Sequence, residues 1–208
     1  DPAADELERD AGAMPGEGAA GEATAVVVDL IVLDDDVLAM EDVDPADRVE
    51  VIPGMTGTFA PYGKAIAKRM RTFSGWINNE SSQWDMALIT LDKEIGKSTG
   101  FLGYANYNNT QLNRAYVTIS GYPFDKDNGN RMWYMSGNLL RLYTHELNYT
   151  IDTAGGQSGS GIWRVVDGKR YVVGVHAYGV NASPAYNGGT RIESNKFNSI
   201  KNWIASGN

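Results

Sequence analysis

Thr153-Ala154-Gly155-Gly156-Gln157-Ser158-Gly159-Ser160-Gly161 is the stretch that decides the fold. Glycines lie on both sides of one serine, and a glycine backbone adopts conformations that a Cβ atom forbids. Such a loop can turn successive N–H groups toward one point, where they stabilise the negative oxygen of a tetrahedral intermediate. The pattern predicts either a nucleophilic Ser158 in its oxyanion loop or a glycine-rich turn that contains a serine by chance.

Two other glycine motifs fit this stretch less well. A phosphate-binding P-loop needs a Gly-Lys-Ser or Gly-Lys-Thr sequence, and no lysine follows the glycines here. The Gly-x-Ser-x-Gly elbow of α/β-hydrolases is broken, because Ser160 stands where the second glycine belongs.

The composition favours an all-β protein. The 208 residues include 24 glycines and 11 tyrosines, and the apolar runs are short. The absence of cysteine excludes disulfides, thiol catalysis and thiolate metal sites. No apolar run approaches the roughly 20 residues that a membrane-spanning helix needs. No basic cluster or aromatic-basic motif indicates nucleic-acid binding.

The charge divides the chain into two parts. Residues 1–48 carry 15 acidic and two basic side chains, whereas residues 49–208 carry 11 acidic and 16 basic ones. All 21 aromatic residues follow residue 58. We expect residues 1–24 to form an acidic, disordered leader, followed by a strand at 25–33. The spacing of Asp34-Asp35-Asp36 matches no EF-hand loop, so we interpret it as a solvated turn.

The remainder predicts short strands and one helix. Asp167-Gly168 suits the two-residue type I′ turn of a hairpin. Phe197, Ile200, Trp203 and Ile204 recur at helical spacing, which predicts an amphipathic helix at the C-terminal end. The predicted strands are 48–52, 86–91, 115–120, 132–142, 160–166 and 171–177.

From about residue 49 onward the chain resembles the bacterial glutamyl endopeptidases, a branch of the chymotrypsin-like serine proteases. Gly156-Gln157-Ser158-Gly159 is similar to the nucleophile motif of these proteases. Further segments support the resemblance in family order: Pro53-Gly54-Met55-Thr56-Gly57, Pro61-Tyr62-Gly63, Ser74-Gly75-Trp76, Thr118-Ile119-Ser120-Gly121-Tyr122-Pro123, Ile151-Asp152-Thr153 and Gly189-Thr190-Arg191-Ile192.

The resemblance implies a role for several residues. Ser158 matches the nucleophile, and the N–H groups of Gly156 and Ser158 match the oxyanion hole. Asp85, in Trp84-Asp85-Met86-Ala87, matches the aspartate that orients the catalytic histidine. By its position alone, Asp85 could equally be a turn residue before an apolar run.

The resemblance also implies a specificity pocket. His176 and Thr153 match residues that bind the glutamate of the substrate, although a lone histidine on an apolar strand is more often a hydrogen-bonded core residue. Asp152 lies six residues before Ser158, and a carboxylate at the pocket floor would favour lysine or arginine instead. His145 lacks the second histidine of a His-Glu-x-x-His zinc site, so we interpret it as an ordinary surface or strand residue.

The catalytic histidine of the family has no counterpart at its expected place. When the sequence around the catalytic histidine of the family is aligned with residues 37–43, Asp42 falls at the position of the histidine. No histidine occurs before His145. A serine hydroxyl is a poor nucleophile until a base takes its proton. A carboxylate is a much weaker base, with an ordinary pKa of about 4 against about 6.5 for imidazole.

Three hypotheses account for this mismatch. In the first, the protein is an active serine protease and the reading frame of residues 1–48 is misassigned. In the second, it is a pseudoprotease whose fold serves as a peptide-binding or protein-binding module. In the third, another group supplies the base, with His145 or a partner chain as candidates. The first hypothesis is favoured, because Ser158 and Asp85 are both present.

We therefore expect two packed six-stranded antiparallel β-barrels and a C-terminal helix. The first barrel spans residues 25–105 and the second, with the helix, residues 106–208. The resemblance implies a secreted, monomeric serine endopeptidase that acts on peptide or protein substrates, forms an acyl-enzyme and cleaves after glutamate. It implies no organic cofactor and no catalytic metal, and it leaves room for a structural calcium ion.

Overall fold

The computed structural model describes residues 49–179 and 186–206. The acidic leader at 1–24, the strand at 25–33, the turn at Asp34-Asp35-Asp36 and the position of Asp42 lie outside the described residues.

The described chain is built mainly from short strands. The strands are β1 (Glu50–Val51), β2 (Ala65–Thr72), β3 (Ala87–Leu91), β4 (Gly103–Tyr104), β5 (Tyr116–Gly121), β6 (Trp133–Leu142), β7 (Glu146–Tyr149), β8 (Gly161–Val166), β9 (Lys169–Tyr178) and β10 (Asn187–Arg191). The helices are α1 (Ser74–Asn79), α2 (Gly96–Thr99), α3 (Asn109–Leu112) and α4 (Ser194–Ala205). Single 3₁₀ turns lie at Ser82–Trp84 and Asp127–Gly129.

Strands β5 to β10 form a closed antiparallel barrel. Their order is β10-β7-β6-β5-β8-β9, and pairing of β10 with β9 closes the ring. The short strand β4 adds to β9 in the parallel direction. Side chains such as Ile119, Leu147, Ile162 and Val175 fill the interior and are almost completely buried. The prediction of a closed six-stranded barrel with a C-terminal helix is therefore confirmed.

The N-terminal part of the described chain is a smaller sheet. Strands β1, β2 and β3 pair in that order and are antiparallel. A separate apolar cluster lies on this sheet and consists of Val51, Ala65, Ile89, Leu91 and Ile95. The described residues thus contain three strands of this region, and the first six-stranded barrel stays a prediction.

Two local predictions are confirmed. Val166 pairs with Lys169 across the hairpin, and both turn residues have the positive φ of a type I′ turn, 50° at Asp167 and 79° at Gly168. Helix α4 buries Phe197 and Ile200 against the barrel, as the helical spacing indicates.

Four strands were not predicted, namely β2, β4, β7 and β10. β10 illustrates the reason, because its sequence Asn-Gly-Gly-Thr-Arg resembles a loop. The glycines are needed because β10 approaches β9 very closely. A Cβ atom on Gly189 would lie 2.3 Å from the carbonyl oxygen of Val175.

Candidate active site

Ser158 lies in the loop that joins β7 to β8, and its side chain is exposed to solvent. The loop is held on both flanks by neighbouring parts of the barrel. The β5–β6 connection binds it on one flank, and strand β9 binds it on the other.

On the first flank, the main chain of Phe124 fixes one peptide group of the loop. The N–H of Phe124 donates a 2.8 Å hydrogen bond to the carbonyl oxygen of Gly155. The C=O of Gly155 and the N–H of Gly156 belong to the same planar, trans peptide, so they point in opposite directions. The hydrogen bond therefore turns the Gly156 N–H away from Phe124.

Gly156 also needs to be a glycine. Its φ is +92°, which L side chains rarely adopt, and a Cβ atom there would lie 2.7 Å from the carbonyl oxygen of Tyr122. The buried Gln157 stabilises the same turn, because its side-chain oxygen accepts a 2.9 Å hydrogen bond from the N–H of Ala154.

The pattern of backbone hydrogen bonds separates two amides from their neighbours. The N–H groups of Gln157, Gly159 and Ser160 each donate to a backbone carbonyl. Those of Gly156 and Ser158 donate to no acceptor within residues 49–179 and 186–206. The loop consequently leaves two N–H groups, one on each side of Gln157, without a described acceptor, and an oxyanion hole is built from N–H groups of this kind.

On the second flank, His176 is attached directly to the loop. Its carbonyl oxygen accepts a hydrogen bond of 2.9 Å from the N–H of Gly159, and its N–H donates one of 2.8 Å to the carbonyl of Ser160. The side chain is 3% exposed. The barrel therefore brings His176 beside the nucleophile loop, as the resemblance implies.

The imidazole of His176 is hydrogen-bonded inside the barrel. Its Nδ1 lies 2.6 Å from the hydroxyl of Tyr149, which also donates to the carbonyl oxygen of Gly188 at 3.0 Å. The one proton of the tyrosine hydroxyl has two neighbouring acceptors, Nδ1 of His176 and the carbonyl oxygen of Gly188, and which of them it binds sets the tautomer of a neutral His176. Burial lowers the pKa of His176 to about 4, and a hydrogen bond with the Gly188 backbone opposes this shift.

Asp85 lies where the 3₁₀ turn Ser82–Trp84 leads into β3, and it is 2% exposed. The hydroxyl of Tyr178, at the end of β9, donates a 2.6 Å hydrogen bond to its Oδ2. This contact connects the carboxylate of the small sheet to the strand that carries His176. Tyr178 was not identified from the sequence, because nothing in the residues around it indicates a partner 93 positions away.

The tryptophan next to Asp85 is held by a polar cluster. The Nζ of the buried Lys196 lies 4.5 Å from the centre of the Trp84 ring and 3.2 Å from Nδ1 of His145. It also donates to Oε1 of Glu193 at 3.5 Å. Burial lowers the pKa of Lys196, and the charge of Glu193 opposes that shift.

His145 is therefore neither an ordinary surface residue nor a strand residue. It occupies the turn before β7, is partly buried, and packs on Trp84 with 5.1 Å between the ring centres. Its described partners are Lys196 and Glu193, and no hydrogen bond joins it to Ser158.

The structure places the other predicted site residues as follows. Thr153 is partly buried at the start of the loop, whereas Asp152 is exposed. Within the described part of the chain, no group of three or more His, Cys, Asp or Glu side chains is placed to hold a metal ion. No described helix is both long and apolar enough to cross a bilayer.

Comparison with known proteins finds relatives that carry the names of proteases. The chain is 37% identical over 163 residues to a glutamyl endopeptidase of Bacillus licheniformis, a match that covers 76% of this chain and 51% of that protein. It is 30% identical over 159 residues to a Bacillus subtilis protein named extracellular metalloprotease, covering 76% and 50%. The chain thus spans about half the length of these relatives. No protein-family model matches it.

Among solved structures, a Glu endopeptidase in complex with MPD superimposes with a TM-score of 0.67 and 34% sequence identity. The match covers 76% of this chain and 72% of that one. Sequence and fold therefore agree on the same group of proteins.

Proposed function

The chain belongs to the glutamyl endopeptidase branch of the chymotrypsin-like serine proteases, and from this premise we propose that it is a secreted serine endopeptidase that cleaves after glutamate. The observation that carries the proposal is the Ser158 loop, with an exposed hydroxyl beside two amides that have no described acceptor. Secretion is supported by the name of the Bacillus subtilis relative, which is called extracellular.

In the proposed reaction, Ser158 attacks the carbonyl carbon of the scissile peptide. The N–H groups of Gly156 and Ser158 bind the oxygen as it becomes negative. Removing one such donor in comparable enzymes lowers the rate by about 10²–10³-fold. The seryl ester then forms as the amine leaves, and water hydrolyses the ester to regenerate the serine.

A base must take the proton of Ser158 and return it to the leaving amine. We propose that Asp85 orients this base, and the buried position and the Tyr178 hydrogen bond of Asp85 support that role. By the resemblance Asp42 would take the position of the base, and a carboxylate there would support only slow acylation, because it is a weak base at neutral pH. Fast acylation would therefore indicate a histidine in the protein at that position.

We propose that Thr153 and His176 bind the glutamate side chain. With Nδ1 of His176 hydrogen-bonded to Tyr149, Nε2 is the ring nitrogen that remains for a carboxylate. It has an N–H to donate when the Tyr149 hydroxyl donates to Nδ1, or when the imidazole is protonated. The Thr153 hydroxyl can donate as a second group. The exposure of Asp152 favours glutamate over a basic residue, because a solvated carboxylate attracts a cation only weakly.

Labelling with a fluorescent fluorophosphonate tests the proposal. Rapid adduct formation on Ser158, mapped by mass spectrometry and absent in Ser158→Ala, is the expected result. The intact mass of the same sample, together with a map of its N-terminal peptides, tests the sequence of residues 1–48. A folded protein that forms no adduct would instead be a pseudoprotease, and binding of acidic peptides without turnover would identify it.

A further inference from the structure

Two exposed aromatic residues, Phe124 and Trp133, lie on the β5–β6 side of the nucleophile loop. Phe124 is 68% exposed and Trp133 is 45% exposed. Exposed large apolar side chains that adjoin a functional site are typical of ligand contacts. The described barrel gives neither residue a role in the core, so their position next to the loop calls for another explanation.

The ring of Phe124 lies directly against the oxyanion peptide. A Cβ atom built on Gly156 would be 3.1 Å from Cγ and Cδ1 of Phe124, and one built on Gly155 would be 3.8 Å from Cδ2. The glycines therefore leave the face of the ring next to the bare backbone of the loop. The ring therefore borders the residue whose amide would bind the carbonyl oxygen of a substrate.

The strand pairing of Trp133 places it near the same loop. It pairs directly with Gly121 across the antiparallel β5–β6 ladder, and opposite residues of such a pair project to the same face of the sheet. On that face Gly121 is next to Ser160 and Gln157, since a Cβ atom there would meet both side chains. Trp133 thus lies on the loop side of β6.

The two flanks of the loop fix which part of a substrate reaches this surface. His176 of β9 is on one flank and Phe124 is on the other. In the proposed function the acyl-side glutamate enters the His176 flank, so the leaving half of the peptide extends toward the opposite flank. We propose that Phe124, together with Trp133, binds an apolar residue immediately after the scissile bond and so selects glutamyl–apolar sequences.

This inference rests on the proposed function, and a substrate series separates the two. The series consists of quenched fluorescent peptides with Ala-Ala-Glu followed by Leu, Gly or Asp, and of a glutamyl methyl ester, which has no residue on the leaving side. We expect kcat/KM of the native chain to be about 10-fold higher for Leu than for Gly or Asp. Phe124→Ala should lower the Leu value to the Gly value and leave ester hydrolysis within twofold.

Three controls make the result specific. Phe124→Ala keeps the backbone N–H that binds Gly155, so the oxyanion loop is retained. Phe124→Leu should restore most of the preference, and Phe101→Ala, which removes another phenylalanine that is 52% exposed, should leave it unchanged. Equal losses for all peptides and the ester, or a native chain without preference, would overturn the inference. Absence of Ser158-dependent turnover on every substrate would refute the proposed function itself, and the inference with it.

Discussion

The closed barrel and the small sheet contribute to the site in different ways. The barrel holds the nucleophile loop, the two amides and His176 through its own backbone hydrogen bonds. The small sheet contributes Asp85, whose carboxylate accepts a hydrogen bond from Tyr178 of the barrel. In the proposed enzyme, stabilisation of the oxyanion and binding of glutamate would thus depend on the barrel alone, whereas orientation of the base would depend on how the barrel meets the small sheet.

This difference leads to separable expectations. Changes in the barrel should alter steps that the loop performs alone, such as stabilisation of charge on the oxyanion. Changes at Asp85 and its contacts should alter the proton transfer and its pH dependence. The following experiments test that division.

The largest effect is expected from Asp85→Asn. Asparagine keeps the shape and an oxygen for the Tyr178 hydroxyl, but it cannot stabilise the positive charge that a histidine base gains with the Ser158 proton. With such a base, the rate of Ser158 acylation should fall by about 10³–10⁴-fold. Stopped-flow labelling with a fluorophosphonate measures this. Asp92→Asn, an exposed aspartate of the same region that accepts from the N–H of Ile66, is the control and should change the rate little. Similar small losses in both variants would contradict the role of Asp85.

Gly156→Ala should have the next largest effect on catalysis. The added Cβ would meet the Tyr122 carbonyl at 2.7 Å, so the peptide must move and one oxyanion donor is displaced. We expect kcat to fall by about 10²-fold with a smaller change in KM. Gly168→Ala is the control. Gly168 has a similarly positive φ, but a Cβ atom there would meet nothing within 4 Å, so this variant shows the effect of backbone strain without a steric clash. Equal kcat in the two variants would show that displacement of the loop is unimportant.

The stability of the barrel should depend on the protonation of His176. Its pKa is about 4 in the folded protein and about 6.5 when unfolded, so the unfolded chain takes up the proton first as the pH falls. This stabilisation is complete above about pH 6.5, declines as the pH falls toward 4, and amounts to about 3 kcal/mol in total. Urea unfolding between pH 4.5 and 7.5 measures it. His176→Gln should remove this part of the slope, whereas parallel curves would mean that the imidazole is not held neutral.

Tyr178→Phe should have the smallest effect and the most specific signature. Loss of the hydroxyl removes the 2.6 Å hydrogen bond to Asp85, and we expect kcat/KM to fall about 10-fold. If Tyr178 positions the carboxylate, the pH–rate profile should shift as well, which a purely structural loss would not produce. Tyr143→Phe, which changes an exposed tyrosine, is the control. An unchanged profile with activity within twofold of the native chain would refute this role.

Features that depend on neighbouring residues were predicted well. The Asp167-Gly168 turn and the apolar spacing in α4 follow from local backbone preference and helical periodicity, and both are found as expected. The positive φ angles of Gly156 and Gly159 likewise follow from the local conformational freedom of glycine, whereas the role of Ser158 stays a prediction.

Features that depend on distant contacts were not predicted. The sequence around Tyr178 and Lys196 contains no sign that their side chains reach Asp85 and Trp84, since only the packing of α4 and β9 on the small sheet brings them there. Asp152 is a similar case. Its position six residues before Ser158 suggests a carboxylate at the pocket floor, but the sequence does not show that the residue is exposed to solvent.

The contact between α4 and Trp84 has a consequence for the order of events during protein synthesis. Trp84 and Asp85 emerge from the ribosome well before Lys196, which at about 5–20 residues per second corresponds to a delay of roughly 5 to 20 s. Until α4 emerges, the tryptophan has no buried ammonium group beneath it and Phe73 lacks its contact with Trp203. We expect the surroundings of Asp85 to be completed only after α4 has emerged, so in the proposed enzyme a nascent chain would remain inactive until that point.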